Sequence, residues 1–314
     1  MAAFGSHFAS LMIASHYGDN SWTPIELMQT SELSFHPGAH VLHYSSTCFE
    51  GLKAYRHDDG SVHIFRLDRH VKRMQNSAAS LCLPVPPVEM LDEMMRRLVE
   101  AVRDDVPHYP SSLYLRPVLL GLDANIGSAA KPSHEALLYI VASPVGDYFE
   151  AGERPLRLWI EEHAMRTTPQ FGEVKTGGNY ASALQHFMRA KKKYAVDQVL
   201  FCPGGDVQET GAANFLLINN DCVLTKRLDG SILPGITRAS LLQLAATSGY
   251  RVEERDITVE EMLQFVENGE AALSGTAAML AGVGELLRGD EVHKVNGGEI
   301  GDNTRRLRRM LADI

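Results

Sequence analysis

Lys175-Thr-Gly-Gly-Asn-Tyr180 and Glu209-Thr-Gly-Ala-Ala-Asn214 are the two stretches that decide how this chain reads. The amine of a lysine set among small residues can condense with an aldehyde. Gly177 and Gly178 let the backbone come close to a ligand, and Tyr180 follows as the chain enters a helix. Glu209 comes one helix and one strand later, at a strand start where a carboxylate can lie against a flat ring. Asn214 can fix that turn with its amide. By itself Lys175 would be read as a surface lysine, one of 30 Lys and Arg residues. Glu209 by itself would be read as a solvated hairpin charge. Together they outline a site for pyridoxal phosphate: an amine to hold its aldehyde, and a carboxylate to keep its ring nitrogen protonated.

Working outward from this pair, apolar periodicity predicts a mixed α/β chain. Strands are expected at 62–66, 113–120, 136–142, 156–160, 198–202 and 215–218, the last two flanking a Gly204-Gly205 turn. The nearly continuous apolar run at 136–142 suits a central strand. Helices are expected at 67–81, 88–106, 179–194 and 236–248, the last stopped by Gly249. The stretch 144–152 carries turn formers at both ends and reads as a connector. Two α/β domains are therefore expected, residues 1–146 and 154–314, joined by 147–153. Such a junction is a usual place for a ligand cleft.

Two further segments have the makings of a phosphate cradle. Ile232-Leu-Pro-Gly-Ile-Thr-Arg238 is expected to run from a strand into a helix, so the amides of Ile236 and Thr237 are N-terminal donors and the Thr237 hydroxyl can join them. Ser274-Gly-Thr-Ala-Ala278 is a second turn with exposed amides and a hydroxyl. Arg73, on the 67–81 helix, can clamp a phosphate with paired hydrogen bonds; a surface salt bridge is the plainer alternative. Tyr114 and Arg116, two apart in a strand, share one face, while Leu113 and Leu115 share the other. A phenol and a guanidinium on such a face suit a carboxylate substrate, with an edge strand wet on one side as the alternative.

Composition narrows the function classes. The chain has 314 residues, 45% hydrophobic and 22% charged, with a net charge of -9. Without a basic surplus, nucleic acid is not an expected partner. The basic runs at 191–193 and 305–309 read as solvated helix faces. Four cysteines, at 48, 82, 202 and 222, form no C-x-x-C pair and are expected to be free thiols, and no metal is called for. No apolar run approaches a span of about 20 residues. The first 17 residues lack the basic start and long apolar core of a signal peptide, and they contain no arginine to suggest a mitochondrial presequence. A soluble cytoplasmic protein is expected.

Taken together, the motifs resemble the fold-type IV, class IV pyridoxal-phosphate aminotransferases, and within them the branched-chain amino acid aminotransferases. The class signature is matched by Glu209-Thr-Gly-Ala-Ala-Asn214, by Val223-Leu-Thr225, and by Leu233-Pro-Gly235-Ile236-Thr237-Arg238. Leu216 stands where the class usually has Phe or Tyr. The first-domain motif of the branched-chain family is similar to His43-Tyr44-Ser-Ser-Thr-Cys-Phe49-Glu50-Gly51-Leu-Lys-Ala-Tyr55-Arg56. Its phosphate-arginine helix resembles Phe65-Arg66-Leu-Asp-Arg-His70-Val-Lys-Arg73, and its substrate strand resembles Tyr114-Leu-Arg116-Pro117. The likeness runs from about Trp22 to Glu285.

The resemblance implies a smaller N-terminal and a larger C-terminal α/β domain with the cofactor at their interface. It implies that Lys175 is the catalytic lysine that tethers pyridoxal 5'-phosphate, that Glu209 meets its ring nitrogen, and that Tyr180 meets its phenolate oxygen. Arg73, Ile236, Thr237 and Thr276 would hold its phosphate. Tyr44, Phe49, Tyr114, Arg116, Tyr148, Thr276 and Ala277 would shape the substrate pocket, with Arg116 meeting the distal carboxylate of glutamate. The implied reaction moves an amine from leucine, isoleucine or valine to 2-oxoglutarate. The implied assembly is a homodimer or larger, with the loop Asp123-Ala-Asn-Ile-Gly127 closing a neighbour's site. Rival readings on the same fold are a D-amino acid aminotransferase and an aminodeoxychorismate lyase. A silent pyridoxal-phosphate-binding protein is the non-enzymatic one. Two departures border the substrate side: Val145 precedes Gly146 where some bacterial members carry Trp, and Arg166-Thr-Thr-Pro169 replaces the more usual Arg-Ala-x-Pro.

Overall fold

In the first half of the chain a strand pattern gives way to period 3.6 across residues 67–101 and then returns, and the elements follow those changes. The computed structural model describes residues 4–127, 129–146 and 153–314. It divides into two units, Met1–Glu150 with Val174–Gly177, and Ala151–Glu173 with Gly178–Ile314. Tyr148 and all but the last residue of the expected connector 147–153 lie outside the described residues.

The first unit contains β1 (Leu11–Gly18), β2 (Ser21–Trp22), β3 (Glu26–Gln29), α1 (His40–Tyr44), β4 (Thr47–Phe49), β5 (Leu52–Arg56) and β6 (Val62–Ile64). It continues with α2 (Leu67–Ser80), α3 (Val88–Ala101), β7 (Ser112–Gly121) and β8 (Ala136–Val145). The strands form one sheet in the order β2-β1-β8-β7-β5-β6, with β3 added to β1 and β4 to β7. All pairings are antiparallel. As its apolar run predicts, β8 lies inside the sheet, between β1 and β7. Val71, Met74 and Ala78 of α2 and Leu91, Met94, Met95 and Leu98 of α3 are buried in one cluster with Leu113 and Leu115 of β7 and Ile140 of β8. Each of these side chains larger than alanine contributes roughly 1.5–3 kcal/mol on burial. The opposite phase of β7 carries Tyr114 and Arg116, both half-buried. The expected strand 62–66 stops at Ile64, because Arg66 takes a left-handed conformation (φ 51°) as the N-cap of α2.

The second unit contains β9 (Leu156–Glu161), α4 (Gly177–Tyr194, its first residue grouped with the first unit), β10 (Gln198–Phe201), β11 (Asn214–Ile218), β12 (Cys222–Thr225) and α5 (Ile236–Thr247). It closes with β13 (Arg251–Glu254), α6 (Val259–Val266), β14 (Glu270–Gly275), β15 (Met279–Arg288), β16 (Glu291–Lys294) and α7 (Asp302–Ala312). Its mixed sheet has the order β10-β9-β15-β14-β11-β12-β13, with β16 on β15. β10 and β11 are not neighbours, so the Gly204-Gly205 turn does not join them. It returns the chain onto β10 instead, where the Phe201 amide donates to the Glu209 carbonyl at 3.1 Å and the Gln208 amide to the Phe201 carbonyl at 3.1 Å. Residues 208–210 thus form a short backbone rung that carries Glu209.

Among the described residues no helix is long and apolar enough to cross a membrane, and all four cysteines are free. Burial, with the Glu50 charge nearby, pushes the Cys48 thiol up to about 12, so it stays protonated.

Candidate active site

In the first unit, one tripeptide organises most of the site residues. The amide of Phe49 donates to the Lys175 carbonyl at 3.0 Å, and the amide of Lys175 donates to Ser77 Oγ of α2 at 3.0 Å. The backbone of Lys175 is therefore fixed whatever its side chain does. Its Nζ lies 5.1 Å from the centroid of the Phe49 ring, and the Arg116 guanidinium lies 4.7 Å from the same centroid. Arg116 Nη2 donates to the Tyr114 hydroxyl at 2.8 Å, while its Nε is buried without a hydrogen-bond partner among the described residues. Gly51 makes room for this arrangement, since a Cβ there would stand 1.9 Å from the Tyr114 hydroxyl. Gly51→Ala is expected to displace Tyr114, raise KM several-fold, and cost about 1–3 kcal/mol of stability. Steady-state kinetics and thermal unfolding check both.

Glu50, between Phe49 and Gly51, is completely buried. Arg73 grips it with Nε on Oε1 at 2.6 Å and Nη2 on Oε2 at 2.9 Å. His70 Nδ1 lies 2.6 Å from Oε2. Arg73 is thus no surface cation; it is oriented from behind by a carboxylate 23 positions earlier. Burial works to raise the Glu50 carboxyl, but the charge and hydrogen bonds of Arg73 and His70 prevail and hold it well below the usual carboxylate range. Burial also lowers His70, outweighing its bond to Glu50.

Both shifts make the folded state less proton-loving than the unfolded chain. Stability is full above the unfolded histidine value of about 6.5 and falls as pH drops, first through His70 and then through Glu50 below about 4.3. Melting temperature is expected to decline over that window. Glu50→Gln should flatten the carboxylate part of the slope and lower stability at pH 7 by about 3–5 kcal/mol, because Arg73 keeps its charge without a counter-charge. Thermal melts of both proteins between about pH 4 and 8 measure this.

Tyr44, at the end of α1, donates its hydroxyl to the Ile126 carbonyl and so braces the 123–127 loop. The left-handed Ser45 (φ 52°) follows it and turns the chain into β4.

The second unit, taken by itself, contains the other residues that the sequence singles out. Glu209 is 3% exposed. Its Oε1 accepts from the Leu233 amide at 2.9 Å and lies 2.7 Å from Arg166 Nη2, and its Oε2 accepts from Asn214 Nδ2 at 2.8 Å. Asn214 Nδ2 also donates to the Leu233 carbonyl at 2.9 Å, which ties the acid to the loop before α5. Gly235 caps α5 without a side chain, and a Cβ on it would stand 1.9 Å from Asn214 Oδ1. This segment arrives as a loop, not as a strand. Ile236 and Thr237 open α5 and are buried. Thr276 and Ala277 lie in the turn between β14 and β15, half-buried. Tyr180 is in the first turn of α4, which Asn179 pins by accepting from Thr167 Oγ1 and donating to the Phe171 carbonyl, each at 2.9 Å.

These donors fit an anionic, flat cofactor. No side chain caps the amide end of α5, so it offers donors to an anion. Ser274 Oγ, paired across the sheet with Asn214, is buried without a hydrogen-bond partner among the described residues. A buried hydroxyl of that kind calls for an acceptor. Sequence reasoning assigned no role to Ser274, Glu50, His70 or Arg166. Glu50 and His70 fall within motif segments, but nothing local says that they pair with Arg73. Among the described residues, no group of three or more His, Cys, Asp or Glu could hold a metal ion.

The fold and these residues define a class IV aminotransferase, and the family described as amino-transferase class IV matches residues 47–286. A probable branched-chain-amino-acid aminotransferase of Streptomyces coelicolor is 37% identical over 321 residues, covering 99% of this chain and 88% of the relative. Branched-chain-amino-acid aminotransferase 2 of Bacillus subtilis is 36% identical over 321 residues, with the same coverage of 99% and 88%. The T.th. branched-chain amino acid aminotransferase with pyridoxamine 5'-phosphate superposes with a TM-score of 0.79 at 26% identity, covering 96% of this chain and 93% of that one. The same enzyme has been solved with N-(5'-phosphopyridoxyl)-L-glutamate (TM-score 0.79) and with 4-methylvaleric acid (TM-score 0.78), each at 25% identity and again covering 96% and 93%. The chain belongs to the branched-chain amino acid aminotransferases.

Proposed function

We propose that this protein transfers the amine of L-leucine, L-isoleucine or L-valine to 2-oxoglutarate, giving branched 2-oxo acids and L-glutamate, with pyridoxal 5'-phosphate as cofactor. The observation that carries the reading is the buried Glu209 carboxylate, fixed by Asn214, Arg166 and the Leu233 amide before any ligand arrives. A relative that accommodates both a glutamate adduct and a branched aliphatic acid supports the dual substrate range.

Bound pyridoxal phosphate supplies an electron sink and an aldehyde for the substrate amine. The protein's part is binding, orientation and proton movement. Arg73, the Ile236 and Thr237 amides, and the hydroxyls of Thr237 and Thr276 hold the phosphate. Glu209 would accept from the ring nitrogen and so keep it protonated, and Tyr180 would donate to the phenolate oxygen. The Lys175 amine tethers the cofactor at rest; once displaced, it takes the proton from the substrate α-carbon and later returns one. Phe49, Tyr44, Tyr114, Tyr148 and Ala277 wall the aliphatic side chain, and Arg116 receives the distal carboxylate of glutamate. The working form is a cytoplasmic homodimer or larger assembly in which the 123–127 loop reaches a second copy; Ile126 at its tip is 70% exposed, in keeping with that role.

A half-reaction screen tests the reading. Near-visible absorbance of the pyridoxal-phosphate-loaded protein is followed on adding single L- or D-amino acids. L-leucine, L-isoleucine, L-valine and L-glutamate are expected to shift it. A response confined to D-amino acids, or pyruvate release from aminodeoxychorismate, would replace the proposal.

A further inference from the structure

Glu209 has a buried counter-charge that the mechanism above does not use. Arg166 is 4% exposed. Its Nη2 lies 2.7 Å from Glu209 Oε1 and donates to the Gly172 carbonyl at 2.9 Å. Its own carbonyl accepts from Ser182 Oγ at 2.5 Å. Its Nε is buried without a hydrogen-bond partner among the described residues. As a stabilising device this pair is poor. Two charges have lost their hydration, and one guanidinium N–H is left unmet. The arrangement suits an electrostatic task better.

We propose that Arg166 is a positioning residue: acting through Glu209, it keeps the shared proton on the ring nitrogen of bound pyridoxal phosphate and off the carboxylate. The inference rests on the reading of Glu209 as the partner of that nitrogen. With the cofactor bound, one proton would lie between a Glu209 oxygen and the ring nitrogen. A guanidinium against the carboxylate makes its oxygens a poorer home for the proton, so the N–H bond persists and Glu209 accepts from it. With the guanidinium gone, the N–H bond breaks and an O–H bond forms on Glu209. The ring then only accepts a hydrogen bond, and it loses the positive charge that draws electrons from the substrate α-carbon. A lysine would keep the charge but not the planar fork, so Arg166→Lys should retain most of the effect.

The experiment loads pyridine-15N-labelled pyridoxal phosphate into the parent protein and into Arg166→Gln, Arg166→Lys and Glu209→Gln. It records the ring-nitrogen resonance at neutral pH, kcat and KM for leucine, and the melting of each apo-protein. The parent resonance is expected at the protonated-ring position. In Arg166→Gln it should move toward the unprotonated position, kcat should fall about ten- to a hundredfold, and KM should change far less. Arg166→Lys should stay close to the parent. If Arg166→Gln does not fold, Arg166→Met, apolar and of similar length, is read in its place. An unmoved resonance in the neutral variant overturns the inference even if activity falls, as do equal shifts in the neutral and lysine variants. Glu209→Gln separates the two levels. If its resonance stays at the parent position, the reading of Glu209 fails; if it moves while Arg166→Gln does not, only the role of Arg166 fails.

Discussion

Lys175→Ala is expected to lower transamination by at least about a thousandfold, the order lost when a positioned proton-transferring group is deleted, while the protein still folds. Folding should survive because the structure holds residue 175 by its main chain, through the Phe49 amide and Ser77 Oγ. The side chain is only half-buried, so truncation leaves no large cavity in the core. Stopped-flow absorbance with L-leucine measures the chemistry, and a thermal melt measures the fold. Added ethylamine should restore a small part of the rate, since the missing group is a simple amine. Turnover within about tenfold of the parent would refute the assignment.

Arg116→Leu should separate the two substrates. Only glutamate brings a second negative charge, and a charge-assisted hydrogen bond to it is worth about 1.5–3 kcal/mol, or roughly ten- to a hundredfold in kcat/KM. Leucine has no charge there and should change by less than about threefold. Arg116 suits this discrimination because its Nε is buried without a hydrogen-bond partner among the described residues, while Nη2 is braced by Tyr114. Parallel half-reactions with L-glutamate and L-leucine give the ratio. Equal losses would remove Arg116 from substrate discrimination and make it a structural element of the Phe49–Tyr114 wall.

Local periodicity made much of this molecule legible. Leu113 and Leu115 against Tyr114 and Arg116 gave a two-faced strand, and the structure buries the leucines and half-buries the other two. The helix at 67–81 ends one residue earlier, at Ser80. The expected helix at 88–106 stops at Ala101 and passes into a short tight turn at Arg103–Asp105. Contacts between distant positions were not legible. The grip of Glu50 on Arg73, the close approach of Tyr114 to Gly51, and the pairing of Arg166 with Glu209 join residues 23 to 63 positions apart. No window of the sequence spans such pairs. The strands 198–202 and 215–218 were found singly, but their separation in the sheet depends on β9, β15 and β14, which insert between them. Strand β1 shows no alternation because Leu11–Gly18 is buried continuously at its centre, β2 is only two residues long, and β3 is exposed on both faces, so none of the three carries a period-two signal.

The four residues Val174–Gly177 sit far along the chain yet cluster with the first unit. A gene cut at the connector would therefore not yield two self-sufficient halves. The product ending at residue 150 would leave the Phe49 amide and the Ser77 hydroxyl without their Lys175 partners. The other product would carry Lys175 on a strip of backbone severed from the residues that hold it. Coexpressed fragments would have to rethread that strip before the first unit regained its full set of backbone contacts.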